Sequence, residues 1–317
     1  MAFTLDSFRG GFSALMVGDA LGAPYEFYAD RNRVYAGAMT LEPRIYNRVT
    51  KQFRSGVPGQ ITDDSEMTMA TLRVLASGGT RENFIEAYLE WANSNTSFLG
   101  RNTRSLFKGI KTVRGYESRA LKNGLQSESN GTLMRALPFV FFGGVDAAIE
   151  NSQLTNDNEM TRLVIGTYVK IVRGLLTKEI DVSQVKQFAK EEGFDIDQPK
   201  FVLEGGFRGK EKGWVAYPLV CLINSLINYP VSVESLPLIA NEVINDYRGC
   251  DTDTVLSIVY GVFGSSIGHR ALVKNEWFRN HLQTTLDCDT SQGQYPREEK
   301  FWASTFYGEL KELWSET

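Results

Sequence analysis

Two short acidic runs, about 190 residues apart, constrain the fold of this chain more than any other feature of its sequence. Each run directly precedes a segment whose apolar residues recur at helical spacing, residues 67–75 after the first and 255–263 after the second. Neighbouring side chains diverge by about 100° on a helix and alternate faces on a strand, so adjacent oxygens converge only from an irregular turn. The runs therefore predict two turns before helices, with these oxygen-bearing residues: Thr62, Asp63, Asp64, Asp251, Asp253 and Thr254.

The chemistry of these side chains indicates a site for hard cations. Carboxylate and hydroxyl oxygens without paired Cys or His favour Mg²⁺, Mn²⁺ or Ca²⁺ over zinc. Four aspartates carry more negative charge than one divalent ion needs, so we expect two ions about 3.5–4 Å apart. This hypothesis requires the two runs to fold against each other.

Helix capping is the alternative explanation for each run. Asp63 with Glu66 matches an acidic form of the capping box, and Asp253 with Thr254 is suited to cap the second helix. A cap needs only one side-chain oxygen, however, and each run offers more. The surplus in both runs favours metal binding.

The composition is typical of a soluble globular protein. The 317 residues are 42% apolar and 23% charged with a formal net charge of -4, and such a chain can bury a sizeable core. No basic excess indicates nucleic acid as a partner, and neither a signal peptide nor a membrane span is predicted. Three scattered cysteines argue against a disulfide framework. We therefore expect a cytoplasmic monomer.

Apolar periodicity predicts helices along most of the chain, at residues 7–22, 81–92, 153–177, 214–229, 234–247 and 301–314. Residues 30–60 lack periodicity and are predicted to form a loop. The polar segment 178–212 is predicted to form a short helix within a surface excursion. With no repeat and no strand-rich region, the prediction is one all-α domain over residues 1–317.

The first predicted helix carries a row of small residues. Gly10, Ala14, Gly18 and Gly22 recur every four residues, and such a row lets the backbone of another helix approach closely. Glycine costs about 1 kcal/mol of helix propensity relative to alanine, so close packing must offset this cost. Asp19 interrupts the apolar side of the same helix.

Glu26 follows this helix between two aromatic residues, Tyr25 and Phe27. A carboxyl group held against aromatic rings has a raised proton affinity and can serve as an acid or a base. The alternative is a solvated loop residue without a chemical role.

Residues 130–135 are the second informative stretch. The turn 130–132 precedes an apolar helix, and backbone N–H groups at such a position favour a phosphate group, with Arg135 one turn inside the helix. Most Asn-Gly turns bind nothing, so this signal is weak when taken alone. Gly100 and Thr103 precede another predicted helix, where they form either a substrate loop or an ordinary helix start.

Together these stretches resemble the ADP-ribosylglycohydrolase family, which contains the dinitrogenase-reductase-activating glycohydrolases and the ADP-ribosyl-acceptor hydrolases. Four pieces match in the family's order between about residues 8 and 268, namely 18–26, 62–65, 130–135 and 249–254. The resemblance implies a compact all-α orthogonal bundle and hydrolysis of the bond between the anomeric carbon of ADP-ribose and an acceptor. It also implies a centre of two Mg²⁺ or Mn²⁺ ions held by the six residues of the acidic runs.

The resemblance further implies roles for individual residues. Glu26 is expected near the scissile bond, with Asp64 as the catalytic carboxylate of the metal set. The residues expected to contact the substrate are Ser127, Asn130, Gly131, Gly100 and Thr103. Cys250 stands where the family usually has a second glycine, and Asn156 follows Thr155 where many members have a histidine. The acceptor stays open as a result: a protein, a small molecule or a modified nucleic acid.

Other functions are compatible with these residues. A non-catalytic ADP-ribose-binding protein would keep the fold but lack a metal ligand or Glu26, and none of these is missing. A two-metal nucleotide phosphohydrolase would release phosphate or AMP in place of intact ADP-ribose. A purely structural helical domain has no reason for two acidic turns, and its melting temperature would not respond to Mg²⁺.

Overall fold

The computed structural model describes residues 3–27, 34–47, 52–96, 98–201, 212–247, 249–288, 290 and 296–315. Within these residues, one two-stranded hairpin accompanies fifteen α-helices. The helices are α1 Leu5–Gly22, α2 Asp63–Ala76, α3 Arg81–Asn93, α4 Arg101–Phe107, α5 Val113–Asn123, α6 Leu137–Phe141, α7 Gly144–Ser152, α8 Glu159–Thr177, α9 Val185–Glu191, α10 Ala216–Asn228, α11 Ser235–Asn245, α12 Thr252–Ile267, α13 His269–Lys274, α14 Glu276–Leu286 and α15 Ala303–Ser315. The prediction of an all-α fold is confirmed.

Helices α1 and α12 form the antiparallel pair at the centre of the molecule, and small residues bring their backbones together. A methyl group added at Gly10 would lie 2.3 Å from the Gly264 carbonyl oxygen, and one at Gly22 would lie 2.5 Å from the Cα of Asp253. The glycines of α1 are therefore required by close packing, as the spacing predicted. The consequence for the site is that the last turn of α1 lies against the first turn of α12.

The apolar core surrounds this pair. Side chains from α1, α2, α3, α8, α10, α12 and α15 join one contiguous cluster of buried residues. Phe8, Phe12 and Leu15 of α1 are at most 1% exposed, and so are Val259 and Phe263 of α12. Burial of apolar surface on this scale is the main favourable term in folding. This core fixes the positions of α1 and α12, the two helices whose adjoining ends carry acidic residues.

Residues 34–60 are not all loop, which corrects the prediction for 30–60. Strand β1, Arg44–Asn47, pairs antiparallel with β2, Gln52–Ser55, so that Arg44 lies opposite Ser55. Each strand has only four residues, too few for period-two alternation to emerge from the sequence. Residues 28–33 and 48–51 lie outside the described residues.

The short helix predicted within 178–212 is present as α9, and a few buried side chains attach the segment to the core as far as residue 201. Helix α9 buries Val185 and Ala189, and the rings of Phe194 and Phe201 are both buried with centroids 4.7 Å apart. These four apolar residues anchor a segment that otherwise reads as polar. Residues 202–211 lie outside the described part of the chain.

Among the described residues, no helix combines the length and the apolar character needed to cross a bilayer.

Candidate metal and substrate site

The two acidic runs lie together, at the adjoining ends of α1, α2 and α12. Carboxylate oxygens of Asp19, Asp64 and Asp253 lie within 4.8 Å of one another, and so do those of Glu26, Asp251 and Asp253. Asp253 belongs to both groups and joins them into one cluster. We call these five residues the carboxylate cluster. All four of its aspartates are at most 8% exposed.

Asp19 was not predicted as part of this site, and it organises the first turn of α2. Its carboxylate accepts hydrogen bonds from the backbone N–H of Thr62 at 3.0 Å and of Ser65 at 3.0 Å, and from both hydroxyl groups at 2.7 and 2.5 Å. Asp19 thus performs the capping role that an N-cap side chain usually performs. The signal available in the sequence was a single acidic residue that interrupts the apolar side of α1.

The capping explanation is wrong for the first run and accounts for only one bond in the second. Thr62 precedes α2 and Asp251 precedes α12, and neither side chain caps its helix. Glu66 does not complete a capping box, because its carboxylate pairs with Arg297. In the second run, Oδ1 of Asp253 accepts from the backbone N–H of Thr254 at 3.0 Å, while the same carboxylate also belongs to the cluster.

The threonines lie among these carboxylates. The Thr62 hydroxyl lies 3.4 Å from Oδ2 of Asp64 and 3.5 Å from Oδ2 of Asp253. Thr254 is buried, and its hydroxyl hydrogen-bonds to Asp64, which opposes the rise in the pKa of that group. Burial first, and then the charges of Asp64 and Asp251, raise the pKa of Asp63, which is half-buried. The structure thus brings five residues of the two runs together, and Asp63 lies outside the two groups of converging carboxylates.

Burial and mutual repulsion dominate the electrostatics of the cluster. Burial raises the pKa of Asp64 and Asp253 well above the usual range, and neighbouring carboxylates raise both further. Within the described residues, no Lys or Arg forms an ion pair with any carboxylate of the cluster. The N-termini of α2 and α12 supply only partial positive charge. Buried carboxylates without a cation are costly unless they are protonated or bind a metal ion.

The donor set fits a divalent cation. Carboxylate and hydroxyl oxygens are the ligands preferred by Mg²⁺, Mn²⁺ and Ca²⁺, and the described part of the cluster contains neither Cys nor His. Two overlapping groups of three carboxylates are compatible with two ions.

Glu26 ends the short 3₁₀ turn Ala23–Tyr25 that follows α1, and its carboxylate belongs to the cluster. Glu26 is half-buried and is therefore not a fully solvated loop residue. Burial first, and then the charge of Asp251, raise the pKa of Glu26 well above its usual range. The backbone N–H of Phe27, at a positive φ of 52°, donates to the carbonyl of Cys250 at 2.9 Å. This bond ties the Glu26 turn to the second acidic run.

The Asn130 turn reaches the cluster through its side chain. Nδ2 of Asn130 donates to Oδ2 of Asp251 at 3.0 Å. The turn forms a 3₁₀ segment, Asn130–Thr132, and not the start of an α-helix, since α6 begins only at Leu137. Arg135 is buried and donates to the carbonyl of Gly131, so its guanidinium holds the turn.

Ser127 lies on a segment that Asn156 supports. Nδ2 of Asn156 donates to the carbonyls of Ser127 at 2.6 Å and of Ser129 at 3.1 Å. Asn102 of α4 donates in turn to Oδ1 of Asn156 at 3.3 Å. Gly100 and Thr103 belong to the same helix region, and neither hydrogen-bonds to a carboxylate of the cluster within the described residues.

A cavity of about 750 Å³ opens beside the cluster. Its lining residues are Gln126, Ser127, Glu128, Ser129, Lys200, Gly213, Trp214 and Tyr217. A methyl group placed on Gly213 would lie 3.6 Å from Oδ2 of Asp251 and 3.7 Å from Oδ1 of Asn130. The cavity therefore borders the second acidic run, and its volume is typical of a small-molecule site.

Comparison with known proteins defines the family. A solved structure described as an ADP-ribosylglycohydrolase-related protein complex has the same fold, with a TM-score of 0.62 and 19% identity over 89% of this chain and 97% of that one. The ADP-ribosyl-(dinitrogen reductase) glycohydrolase of Rhodospirillum rubrum is 33% identical over 139 residues, which are 42% of this chain and 43% of that protein. The match thus spans less than half of this relative. The family described as ADP-ribosylglycohydrolase matches residues 2–295, and the chain belongs to this family.

Proposed function

We propose that this protein is a metal-dependent hydrolase that cleaves the glycosidic bond between ADP-ribose and an acceptor. The observation that carries the proposal is the convergence of five carboxylates, without a cationic partner among the described residues, at the edge of a cavity of about 750 Å³. Membership of the ADP-ribosylglycohydrolase family supports the choice of substrate.

The residues proposed to hold two Mg²⁺ ions, or Mn²⁺ in their place, are Thr62, Asp63, Asp64, Asp251, Asp253 and Thr254. When bound, the ions would polarise ribose hydroxyl groups and lower the pKa of a water molecule. Asp19 orients the first run through its bonds to Thr62 and Ser65.

Glu26 and Asp64 are the proposed catalytic carboxylates. Hydrolysis of a glycosidic bond passes through an oxocarbenium-like state and requires a carboxylate that takes a proton from the attacking water. Glu26 suits this role because burial, and then neighbouring charges, raise its pKa, which makes it a stronger base than a solvated carboxylate. Asp64, fixed by the Ser257 hydroxyl at 3.2 Å, orients the water against the anomeric carbon.

The cavity is proposed to hold ADP-ribose. Ser127 lines the cavity, and Asn130 donates to Asp251 of the cluster. These two residues, with Gly131, are proposed to contact the ribose next to the scissile bond. Trp214 offers an aromatic face and Lys200 a positive charge, which suit a base and a diphosphate. Gly100 and Thr103 are also proposed to contact the substrate. They lie beside Asn102, which is linked through Asn156 to the Ser127 segment.

The test of this proposal compares Asp251→Asn and Asp253→Asn with the wild type. The protein is incubated with a panel of substrates carrying ADP-ribose on arginine, serine, a polymer, a nucleic-acid end or an acetyl group, with Mg²⁺ or with EDTA, and free ADP-ribose is measured. Both variants should lose at least about 100-fold in kcat/KM on the substrate that the wild type cleaves. Asp287→Asn, an exposed acid on the protein surface, is the matched control.

Three outcomes would contradict the proposal. Full activity of either variant in EDTA would exclude a metal-dependent role for the cluster. Release of AMP or phosphate would indicate a nucleotide phosphohydrolase. Tight binding of ADP-ribose without turnover of any substrate would indicate a binding protein.

A further inference from the structure

A buried ion pair lies on the side of α2 that faces away from the carboxylate cluster. Arg297 donates to Glu66 through Nε at 2.7 Å and through Nη2 at 2.9 Å, and both side chains are at most 1% exposed. Trp91 donates to the same carboxylate at 2.7 Å. The pair is bidentate and buried. Two parallel N–H···O bonds between a guanidinium and a carboxylate add geometric specificity as well as energy.

The position of this pair connects it to the site. Glu66 follows Asp64 by two residues, so the two side chains leave α2 in directions about 200° apart. Asp19 holds the first turn of α2 from the cluster side through Thr62 and Ser65. Arg297 holds the same turn from the opposite side.

Arg297 is itself fixed by other elements. Its Nη1 donates to the carbonyl of Ser94 at 2.7 Å, at the end of α3. Its guanidinium lies 4.4 Å from the ring centroid of Phe301, and its carbonyl accepts from Trp302. These contacts make Arg297 a rigid support for Glu66. The family match ends at residue 295, so the support comes from a part of the chain that follows the matched region.

We propose that Arg297 is a positioning residue for the metal centre: through Glu66 it sets the orientation of the first turn of α2, and with it Asp63 and Asp64. This inference rests on the proposed function, because it assumes that the cluster binds divalent cations. Arg297 contacts no carboxylate of the cluster and acts only through the helix.

A second ion pair on α2 offers a matched control. Arg73 donates to both carboxylate oxygens of Glu309, at 2.8 and 2.9 Å, and joins the same helix to α15. Arg73 lies about 10 Å further along the helix axis than Glu66, away from the metal turn. Both pairs tie α2 to the C-terminal segment, but only the Glu66 pair lies at the acidic run.

The experiment measures the Kd of Mn²⁺ by calorimetry for the wild type, Arg297→Met, Arg297→Lys and Arg73→Met. Partners that orient metal ligands typically contribute 10- to 100-fold to affinity, so Arg297→Met should bind Mn²⁺ about 10- to 100-fold more weakly. Arg297→Lys keeps the charge without the bidentate bond and should bind with intermediate affinity. Arg73→Met should lower the melting temperature and keep the wild-type Kd.

Each outcome bears on one hypothesis. A folded Arg297→Met protein with the Kd of the wild type would overturn this inference and leave the proposed function standing. If Arg297→Met does not fold, an unchanged Kd for Arg297→Lys overturns the inference, and a weakened Kd supports it. Equal weakening in Arg73→Met would reduce the effect to general destabilisation and overturn the inference too. A wild type that binds no Mn²⁺ would overturn the proposed function, and this inference with it.

Discussion

Asp19 and His269 illustrate how single polar side chains are accommodated inside this protein. Asp19 is completely buried, yet four hydrogen bonds from Thr62 and Ser65, at the start of α2, satisfy its carboxylate. His269 is 7% exposed and lies between Ser13, whose hydroxyl is 3.4 Å from Nδ1, and Tyr307, whose hydroxyl is 3.1 Å from Nε2. Both groups contribute to the packing of α1 against its neighbours.

His269 should make the protein less stable as the pH falls below neutrality. Burial, and then the nearby charge of Arg9, lower the pKa of His269 from 6.5 to about 4, with Asp6 opposing and Lys311 adding to the shift. Between these pH values the unfolded chain binds the proton and the folded protein does not. The free energy of unfolding should therefore decrease with falling pH, by at most about 1.4 kcal/mol per pH unit from this residue.

The variant His269→Gln removes this titration. Urea denaturation at several pH values between 7 and 5 should give a flatter dependence for the variant than for the wild type. Parallel curves for the two proteins would show that His269 is protonated equally in the folded and unfolded states.

Helices α1 and α12 determine the geometry of the site through their close approach. The spacing of glycines along α1 brings its last turn against the first turn of α12, and this contact places Asp19 beside Asp253. The row of glycines is unfavourable for an isolated helix. It is retained here because a larger side chain would separate the two carboxylate-bearing turns.

Gly18→Ala tests this contact. The added methyl group would lie 2.4 Å from the carbonyl oxygen of Leu256, so the helices must move apart. We expect a loss of about 1–3 kcal/mol in the free energy of unfolding, as for other overpacked interiors. Gly308→Ala in α15, where nothing lies within 4 Å of the added methyl group, should instead gain up to about 1 kcal/mol. Equal effects in denaturant titrations would contradict the role of close packing.

The cluster is built from distant parts of the chain, and the C-terminal segment is tied to α2, so cation binding should be coupled to the stability of the complete fold. The cluster draws on residues from α1 to α12, and Arg297 ties the C-terminal segment to α2. A cation that binds only this folded arrangement stabilises it by mass action.

Mg²⁺ should therefore raise the melting temperature. At a free concentration 100-fold above Kd, one bound ion stabilises the folded state by about 2.7 kcal/mol. Calorimetric scans with increasing MgCl₂, against NaCl of equal ionic strength, should show a graded rise for the wild type and little change for Asp253→Asn. If Mg²⁺ does not change the melting temperature of the wild type, this result would contradict a cation site in the cluster.

The residues and short stretches that local chemistry governs were predictable from the sequence. The longest helices, such as α1, α8 and α12, the row of small residues in α1 and the oxygen-rich turns at 62–64 and 251–254 follow from spacing and side-chain type. The resemblance to a family could be stated from four such stretches. The four-residue strands and the buried part of 178–201 were missed, because too few residues carry their pattern.

Long-range pairing, in contrast, was decided only by the way the helices pack. Asp19 meets Thr62 across 43 residues of sequence, and Arg297 meets Glu66 across 231. Neither pair leaves a periodic or local signal, since the first depends on the packing of α1 against the start of α2 and the second on the return of the C-terminal segment to α2. The sequence specifies which side chains can bind a cation, but only the packing of the helices brings their oxygens within 4.8 Å of one another.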